Sequence, residues 1–488
     1  MAQPAGNLCH ERLISPMTRD LTPPQAGPAG HAEKADSLAR QANAYVEQGR
    51  HGDAIDTYLQ AIELDPKRAT LPNNLGVVLR QLNHLNEAEA CFKQAIDLDP
   101  AYADAYRNLG VVYGRQNRVD EAAQAFSRSM QLNPNNPALY SDLGNFLYGQ
   151  QLLSDAIESY ETALRLQPDF PVAQWNHGLA CLMKGDLEKG WPGNELRHLF
   201  QTSYPHQYAK PRWEGQSFHG KRLLIYDEIG YGDVFQFVRY LPMVKALGGT
   251  LLFEAKPGLK RLLQEMGCID VLLERGALPV PEVDFDLHLP MESLPFVFKT
   301  SLDTIPRKLP YLHAHPDLVK KWSGRLEKLS SPRIGVVWAG NPDSAYDQNR
   351  SCQAQDFLPL FRMAGVSWFS LQKGAAEEQL RDLAGAEHVQ MLGGEIEDFA
   401  DTAAIIQNLD LVISVETAVP HLAGALNKPV WTLLSSMPAW RWMLEREDSP
   451  WYPGMRLFRQ SQAGIWQDVV GRIAIELEQW RSSYQTEH

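Results

Sequence analysis

Glu416, Thr417 and His421 fall close together in DLVISVETAVPHLAGALNKPVWTLL, residues 410–434. Two short apolar, β-rich runs, 411–415 and 430–434, bracket them and read as strands. Between the runs, Pro420 suits the first turn of a helix, and the small residues Ala423, Gly424 and Ala425 let that helix lie close to a sheet. Asn427, Lys428 and Pro429 stop it. The order strand, turn, helix, strand puts the three polar side chains where the helix begins, at the carboxyl end of a parallel strand. Open α/β sheets bind ligands there. Free backbone N–H groups and the helix dipole favour an anion at that point. The plainer alternative is a capped helix carrying a surface histidine.

The rest of the chain must supply the elements around this spot. At 488 residues it holds two to four domains. A hydrophobic content of 44% and a charged content of 22% are those of a globular protein. The net charge of -13 argues against nucleic-acid binding, which rests on phosphate neutralisation by Lys and Arg. Cys9, Cys91, Cys181, Cys268 and Cys352 lie far apart with no CxxC pair. That pattern is neither a disulfide framework nor a zinc site, and it leads us to expect a cytoplasmic protein. No apolar run reaches the length of a membrane span. Residues 1–32, rich in Pro, Gly and Ala, read as a disordered leader without a signal peptide.

Periodicity dominates the first half. Pro66, Pro100, Pro134 and Pro168 are 34 residues apart, and so are Gly76, Gly110, Gly144 and Gly178. Ala54 with Tyr58, Ala88 with Phe92, Ala122 with Phe126 and Ala156 with Tyr160 keep the same phase. Small residues let paired helices approach, the aromatic fills the gap and Pro ends the second helix. This resembles the tetratricopeptide repeat, over roughly residues 35–190. The resemblance implies a concave groove for a peptide or protein partner; the alternative is an array that only solubilises or rigidifies the next domain. Trp191 and Pro192 mark a junction, and 202–220 reads as a connector.

From residue 221 strands and helices alternate. Strands are expected at 222–226, 250–254, 271–273 and 286–289, then at 333–338, 367–371, 411–415 and 430–434; helices at 234–247, 259–266 and, amphipathic and closing the chain, 465–480. Two such blocks, parted near 305–330, suggest two Rossmann-like domains facing across a cleft.

KRLLIYDEIGYGDVFQFVRYLP, RIGVVWAGNP, FSLQKG, DFADTAAIIQNLDLVISVETAVPHLAGALNKPVW and WRWMLEREDSPWYP resemble the glycosyltransferases of the heptosyltransferase superfamily (family 9-like). They are most similar to its bacterial branch fused to tetratricopeptide repeats, and more distantly similar to O-linked N-acetylglucosamine transferases. The resemblance spans nearly all of residues 35–485. It implies an all-α tetratricopeptide-repeat solenoid followed by an α/β GT-B glycosyltransferase of two Rossmann-like domains. The implied layout is a leader over 1–32, the array over 33–200, an acceptor-side domain over 201–325 and a nucleotide-sugar donor domain over 326–488. The implied reaction inverts the sugar without an essential metal or other cofactor, and the repeats recruit a protein or glycan acceptor.

Residue by residue, the resemblance makes Asp233 the general base toward the acceptor, with Gly230 and Gly232 in the acceptor-side loop. Thr417, Ala418 and His421 fall where relatives contact the donor diphosphate, and Glu416 stands where they carry Asp. Asn341 matches the loop after the first strand of the donor domain, and Arg350 a basic position near phosphate or sugar. Residues 343–346 lack the basic and His character common in relatives. Gln372, Lys373 and Arg441 are implied donor contacts, and Glu377 or Glu378 a ribose contact. Several of these have plainer roles: Asp233 as a helix cap, or Arg441 stacked between Trp440 and Trp442. Asp284 and Asp286 form a DxD, which in other transferases holds a metal, but they lie outside the donor half. Gly230 and Gly232 lack a third glycine at Phe235, so they make a poor dinucleotide fingerprint. A non-catalytic scaffold with a degenerate transferase domain is the competing expectation.

Overall fold

The computed structural model of the protein describes residues 28–200, 208–228, 230–276, 283–326, 332–343 and 347–487. The chain divides into two compact units, Met1–Ala173 and Gln174–His488. Among the described residues no helix is long and apolar enough to cross a membrane.

The first unit is a stack of helical hairpins: α1 (Pro28–Glu47) with α2 (His51–Leu64), α3 (Thr70–Gln81) with α4 (Leu85–Leu98), α5 (Ala103–Arg115) with α6 (Val119–Leu132), and α7 (Pro137–Gly149) with α8 (Leu153–Leu166). The periodic glycines explain themselves in the packing. A Cβ on Gly76 would lie 2.7 Å from the Phe92 ring, on Gly110 3.0 Å from Phe126, and on Gly144 2.5 Å from Tyr160. The alanines of the same register, Ala88, Ala122 and Ala156, are fully buried. A further set keeps the period through conformation alone. Gly49, Asn83, Asn117 and Gln151 all turn the chain at positive φ, 72°, 63°, 59° and 64°, as the left-handed residue after a helix does. Residues 1–27 of the expected leader lie outside the described residues, and α1 starts at Pro28, inside the stretch expected to be disordered. Proline is well suited to that first position.

The array is expected to run to residue 200; the compact units part earlier in the chain. The division falls within α9 (Pro171–Lys184), and α10 (Leu187–Asn194) with the 3₁₀ turn Glu195–Leu199 belongs to the second unit. Trp191, fully buried, donates its indole N–H to the Thr300 carbonyl at 2.7 Å and meets Trp440 edge-on at 5.3 Å.

Two parallel sheets build the second unit. β1 (Arg222–Tyr226), β2 (Thr250–Ala255), β3 (Val271–Glu274) and β4 (Leu287–Pro290) line up in the order β3-β2-β1-β4. β5 (Arg333–Val337), β6 (Ser367–Ser370), β7 (Gln390–Met391), β8 (Leu411–Val415), β9 (Val430–Leu434) and β10 (Met455–Arg459) follow the order β10-β9-β8-β5-β6-β7. Ile225 registers with Phe253 and Leu289, and Val336 with Ile413. The central strands are apolar and buried on both faces, as parallel strands flanked by helices must be.

The helix expected over 234–247 is broken into α11 (Tyr231–Phe237), the turn Val238–Tyr240 and α12 (Leu241–Ala246), which restarts with Pro242 in its first turn. The one expected over 259–266 shrinks to Lys260–Leu263. Helix α13 (Pro316–Leu326), counted with the first block in the sequence, packs on the second. Buried Trp322 donates to Asp401 Oδ1 at 2.8 Å on α14 (Phe399–Gln407). Helix α15 (Ala418–Ala425) follows β8, and α16 (Gln467–Glu487) closes the chain over Trp431 and Phe458.

Candidate active site

Each sheet reverses its strand order once. The chain moves outward from β1 through β2 and β3, then returns to the far side of β1 with β4. In the second sheet it moves from β5 through β6 and β7, then crosses back to β8. Such reversals open a crevice beyond the carboxyl ends of the strands. Residues 227–228, 230–233 and Met291–Ser293 rim the first crevice; residues 338–343 and 347–350 with Glu416 and Thr417 rim the second. Helix α11 packs against α15, so the two rims meet.

Gly232 is the point of closest approach. A Cβ there would sit 2.8 Å from His421 Cδ2 and 3.3 Å from its Nε2. Asp233, one residue on, is the third residue of α11 rather than its N-cap. Its Oδ2 accepts the Gly230 N–H at 2.8 Å, and its Oδ1 is ion-paired with Arg441 Nη2. Arg441 also donates Nε–H to Gln236 Oε1 at 2.6 Å and lies 4.6 Å over the Trp440 ring. This one arginine therefore spans both lobes.

His421 is not a surface residue: it is 5% exposed, with Nδ1 2.9 Å from the Tyr452 hydroxyl and its ring 4.9 Å from Trp442. Burial holds its pKa well below the usual histidine range, and Arg441, Arg239 and Arg350 push it the same way. The imidazole is neutral at pH 7. Thr417 caps α15 by accepting the Val419 N–H at 3.3 Å, and Ala418 begins the helix. Half-buried Glu416 accepts the Ala439 N–H at 3.4 Å; desolvation raises its pKa, against the pull of Trp442 and Arg350. Arg350 is fixed over Gly340, where a Cβ would stand 3.0 Å from Nη2, and its Nε lies 3.3 Å from Asp347 Oδ1.

Other expected contacts are committed elsewhere. Gln372 is buried, with Oε1 accepting the Trp338 and Ala339 N–H groups at 3.2 and 3.0 Å and Nε2 donating to Lys373 O at 3.2 Å. It shapes the loop after β5, with one Nε2 hydrogen left beyond these bonds. Lys373 Nζ is bonded to the Ile396 carbonyl. Asn341 is exposed and accepts the Asp343 N–H at 3.2 Å. Glu377 is buried against the Gly393 N–H at 2.9 Å, its pKa raised by desolvation, while exposed Glu378 pairs with Arg381. Residues 344–346 of the altered loop lie outside the described residues. Asp286 accepts the Arg222 N–H at 2.7 Å and exposed Asp284 lies 3.6 Å from Lys210 Nζ. Among the described residues no group of three His, Cys, Asp or Glu is placed to hold a metal.

Sequence reasoning missed the groups behind the first rim. Arg197 and Glu228 are buried partners at 2.5 Å, and Arg197 also donates to Ser293 Oγ at 2.9 Å. Glu292, 2% exposed, faces Glu228 and has no other described hydrogen-bond partner; burial raises its pKa well above the usual carboxylate value, and neighbouring Glu228 raises it further. Its place after β4, at the strand-order reversal, was the available signal.

Residues 42–82 match the TPR repeat, and residues 73–137 and 115–180 match the tetratricopeptide repeat. The array is a run of tetratricopeptide repeats. Such repeats bind protein partners. Protein FlbA of Caulobacter vibrioides is 28% identical over 334 residues, which are 64% of this chain and 56% of FlbA. The chain thus spans little more than half the length of this curated relative. Among solved structures, MamA from Desulfovibrio magneticus RS-1 is 18% identical, covers 34% of this chain and 96% of its own, and has a TM-score of 0.29. Pseudomonas aeruginosa pilF is 21% identical, covers 36% of this chain and 80% of its own, and has a TM-score of 0.32.

Proposed function

We propose that the second unit is a GT-B-type glycosyltransferase and that the repeats recruit its protein or glycan acceptor. The observation that carries this reading is the meeting of two strand-order crevices, one bringing Asp233 and the other the start of α15 with His421. The acceptor hydroxyl attacks the anomeric carbon from the face opposite the nucleotide diphosphate. The new C–O bond forms as the bond to the diphosphate oxygen breaks, and the hydroxyl proton passes to Asp233. Carboxylate general bases contribute roughly 10²- to 10⁴-fold. The N-terminus of α15, His421, Arg350 and Arg441 surround the place where negative charge collects on the leaving diphosphate. Arg441 joins the two ends of the reaction. When it turns toward the diphosphate it releases Asp233 Oδ1 for the acceptor.

Asp233→Asn tests the assignment, because Asn keeps the shape and still accepts the Gly230 N–H. The expected result is near-normal melting temperature and nucleotide-sugar affinity with turnover lowered by at least about 10²-fold. Wild-type turnover in a folded Asn variant removes the base from this position. The engagement of both Asp233 oxygens supports a second reading, a scaffold without catalysis. A wild type that binds nucleotide sugars, detected as thermal stabilisation, yet transfers none of them to any acceptor supports that one.

A further inference from the structure

His421 presents two nitrogens to two different surroundings. Nδ1 faces the interior and the Tyr452 hydroxyl, while Nε2 runs along Gly232 at the lobe junction and has no hydrogen-bond partner among the described residues. Which nitrogen carries the proton depends on the direction of the Tyr452 O–H. Arg239 lies over the ring that carries this hydroxyl. Its guanidinium is 4% exposed and has no carboxylate partner among the described residues. It donates to Trp451 O at 2.9 Å, Gln236 O at 2.7 Å and Tyr311 Oη at 2.7 Å, and lies over the rings of Tyr311 at 4.7 Å and Tyr452 at 4.9 Å. Tyr311 gives its own proton to the Phe235 carbonyl at 2.8 Å. A buried cation draws hydroxyl oxygens toward itself and turns their hydrogens away. The Tyr452 hydroxyl also stands within hydrogen-bond reach of Tyr311, but a proton aimed there would meet an oxygen that Arg239 already draws on, so the better acceptor is His421 Nδ1. The acceptor at Nδ1 leaves the imidazole proton on Nε2.

We infer that Tyr452 is a positioning residue that holds His421 in its Nε2–H form, making the imidazole a permanent hydrogen-bond donor to a phosphate oxygen at the lobe junction. The phosphate half of this inference rests on the proposed reading of the site as a nucleotide-sugar pocket. The charged and titratable groups around the ring suit it. Arg441, Arg239 and Arg350 disfavour an imidazolium, Asp233 on α11 is paired with Arg441, and Glu416 is held at the Ala439 N–H. A ring that stays neutral keeps Nε2–H as its donor throughout the neutral pH range.

The test is a nitrogen-15 spectrum of histidine-labelled full-length protein, with the His421 signals assigned by their loss in His421→Gln. In the wild type we expect a neutral ring protonated at Nε2 between about pH 6 and pH 8, the span over which an ordinary histidine changes charge. UDP, GDP or inorganic pyrophosphate should move the Nε2 signal. In Tyr452→Phe the ring should populate both tautomers, and the affinity for the same probes should fall about two- to tenfold, because only the fraction of rings with Nε2–H still donates. A proton on Nδ1 of the wild type overturns the inference without any variant having to fold. An unchanged Nε2–H ring in Tyr452→Phe removes the role of Tyr452. An Nε2–H ring that no nucleotide or pyrophosphate disturbs overturns the phosphate assignment and the proposed function with it. A wrong tautomer with normal nucleotide binding overturns this inference alone.

Discussion

Gly232→Ala asks whether the two lobes really meet at His421, independently of any chemistry. The new methyl carbon would lie 2.8 Å from His421 Cδ2, well inside the 3.5–4.0 Å at which carbons attract. The ring cannot easily yield, because Tyr452 holds Nδ1 at 2.9 Å and Trp442 covers its face at 4.9 Å. Overpacking of this kind costs about 1–3 kcal/mol. In a His421→Ala background the ring is gone, and the same methyl should cost no more than about 0.5 kcal/mol. The cycle of four proteins therefore predicts a coupling of roughly 1–3 kcal/mol, well beyond the scatter expected for independent sites. It is read from urea unfolding followed by tryptophan fluorescence, with slopes checked for equality across the set. Additive costs, within about 0.5 kcal/mol, would show that Gly232 and His421 do not touch, and the site would lose its geometry.

Three further outcomes are expected from buried or strained groups. Glu292 keeps its proton in the fold above the pH at which the unfolded chain releases it, so stability is lost as pH rises from about 4.5 toward the folded value. Glu292→Gln, which cannot titrate, should match the wild type near pH 4 and exceed it at pH 7 by about 1 kcal/mol or more; equal curves would mean Glu292 ionises in place. Arg197→Met strands the Glu228 carboxylate, whose side chain is 1% exposed, and should cost about 3–5 kcal/mol; a Glu228→Gln partner change that recovers none of this would discount the pair. Gln151 holds φ 64° where the preceding repeats use Gly or Asn, so Gln151→Gly should raise the stability of the array by about 0.5–1 kcal/mol, and thermal unfolding that moves the other way would refute the strain.

The array was legible because its information is redundant: each glycine, alanine, aromatic and proline repeats the same statement at a fixed step. The turn at Gly49, Asn83, Asn117 and Gln151 keeps that step in backbone angle alone, so residue type hid it. The apolar runs announced β1, β5, β8 and β9 because buried parallel strands need no polar face. β10 escaped because MRLFR carries arginines at a sheet edge, and β7 because two residues make no pattern. At the site, Asp233 pairs with Arg441 and His421 lies against Gly232. Gln372 could not be read that way, since its partners Trp338 and Ala339 become neighbours only when β5 and β6 pair. Glu228 and Glu292 look like any other carboxylates until burial sets them apart, and Tyr452 acquires meaning only from the ring it touches.

The helical segment before the first strand has a practical consequence. The family resemblance places the boundary of the α/β half near residue 201, after α10, yet Trp191 and Arg197 reach into that half to hold Thr300, Ser293 and Glu228. A fragment cut at that boundary would begin life with a hole where an indole was and two facing acids with no cation between them. It would misreport the behaviour of residues 228–233, the stretch that most needs to be studied. Dissection of this protein should track its buried contacts and begin no later than residue 174, where the compact unit begins.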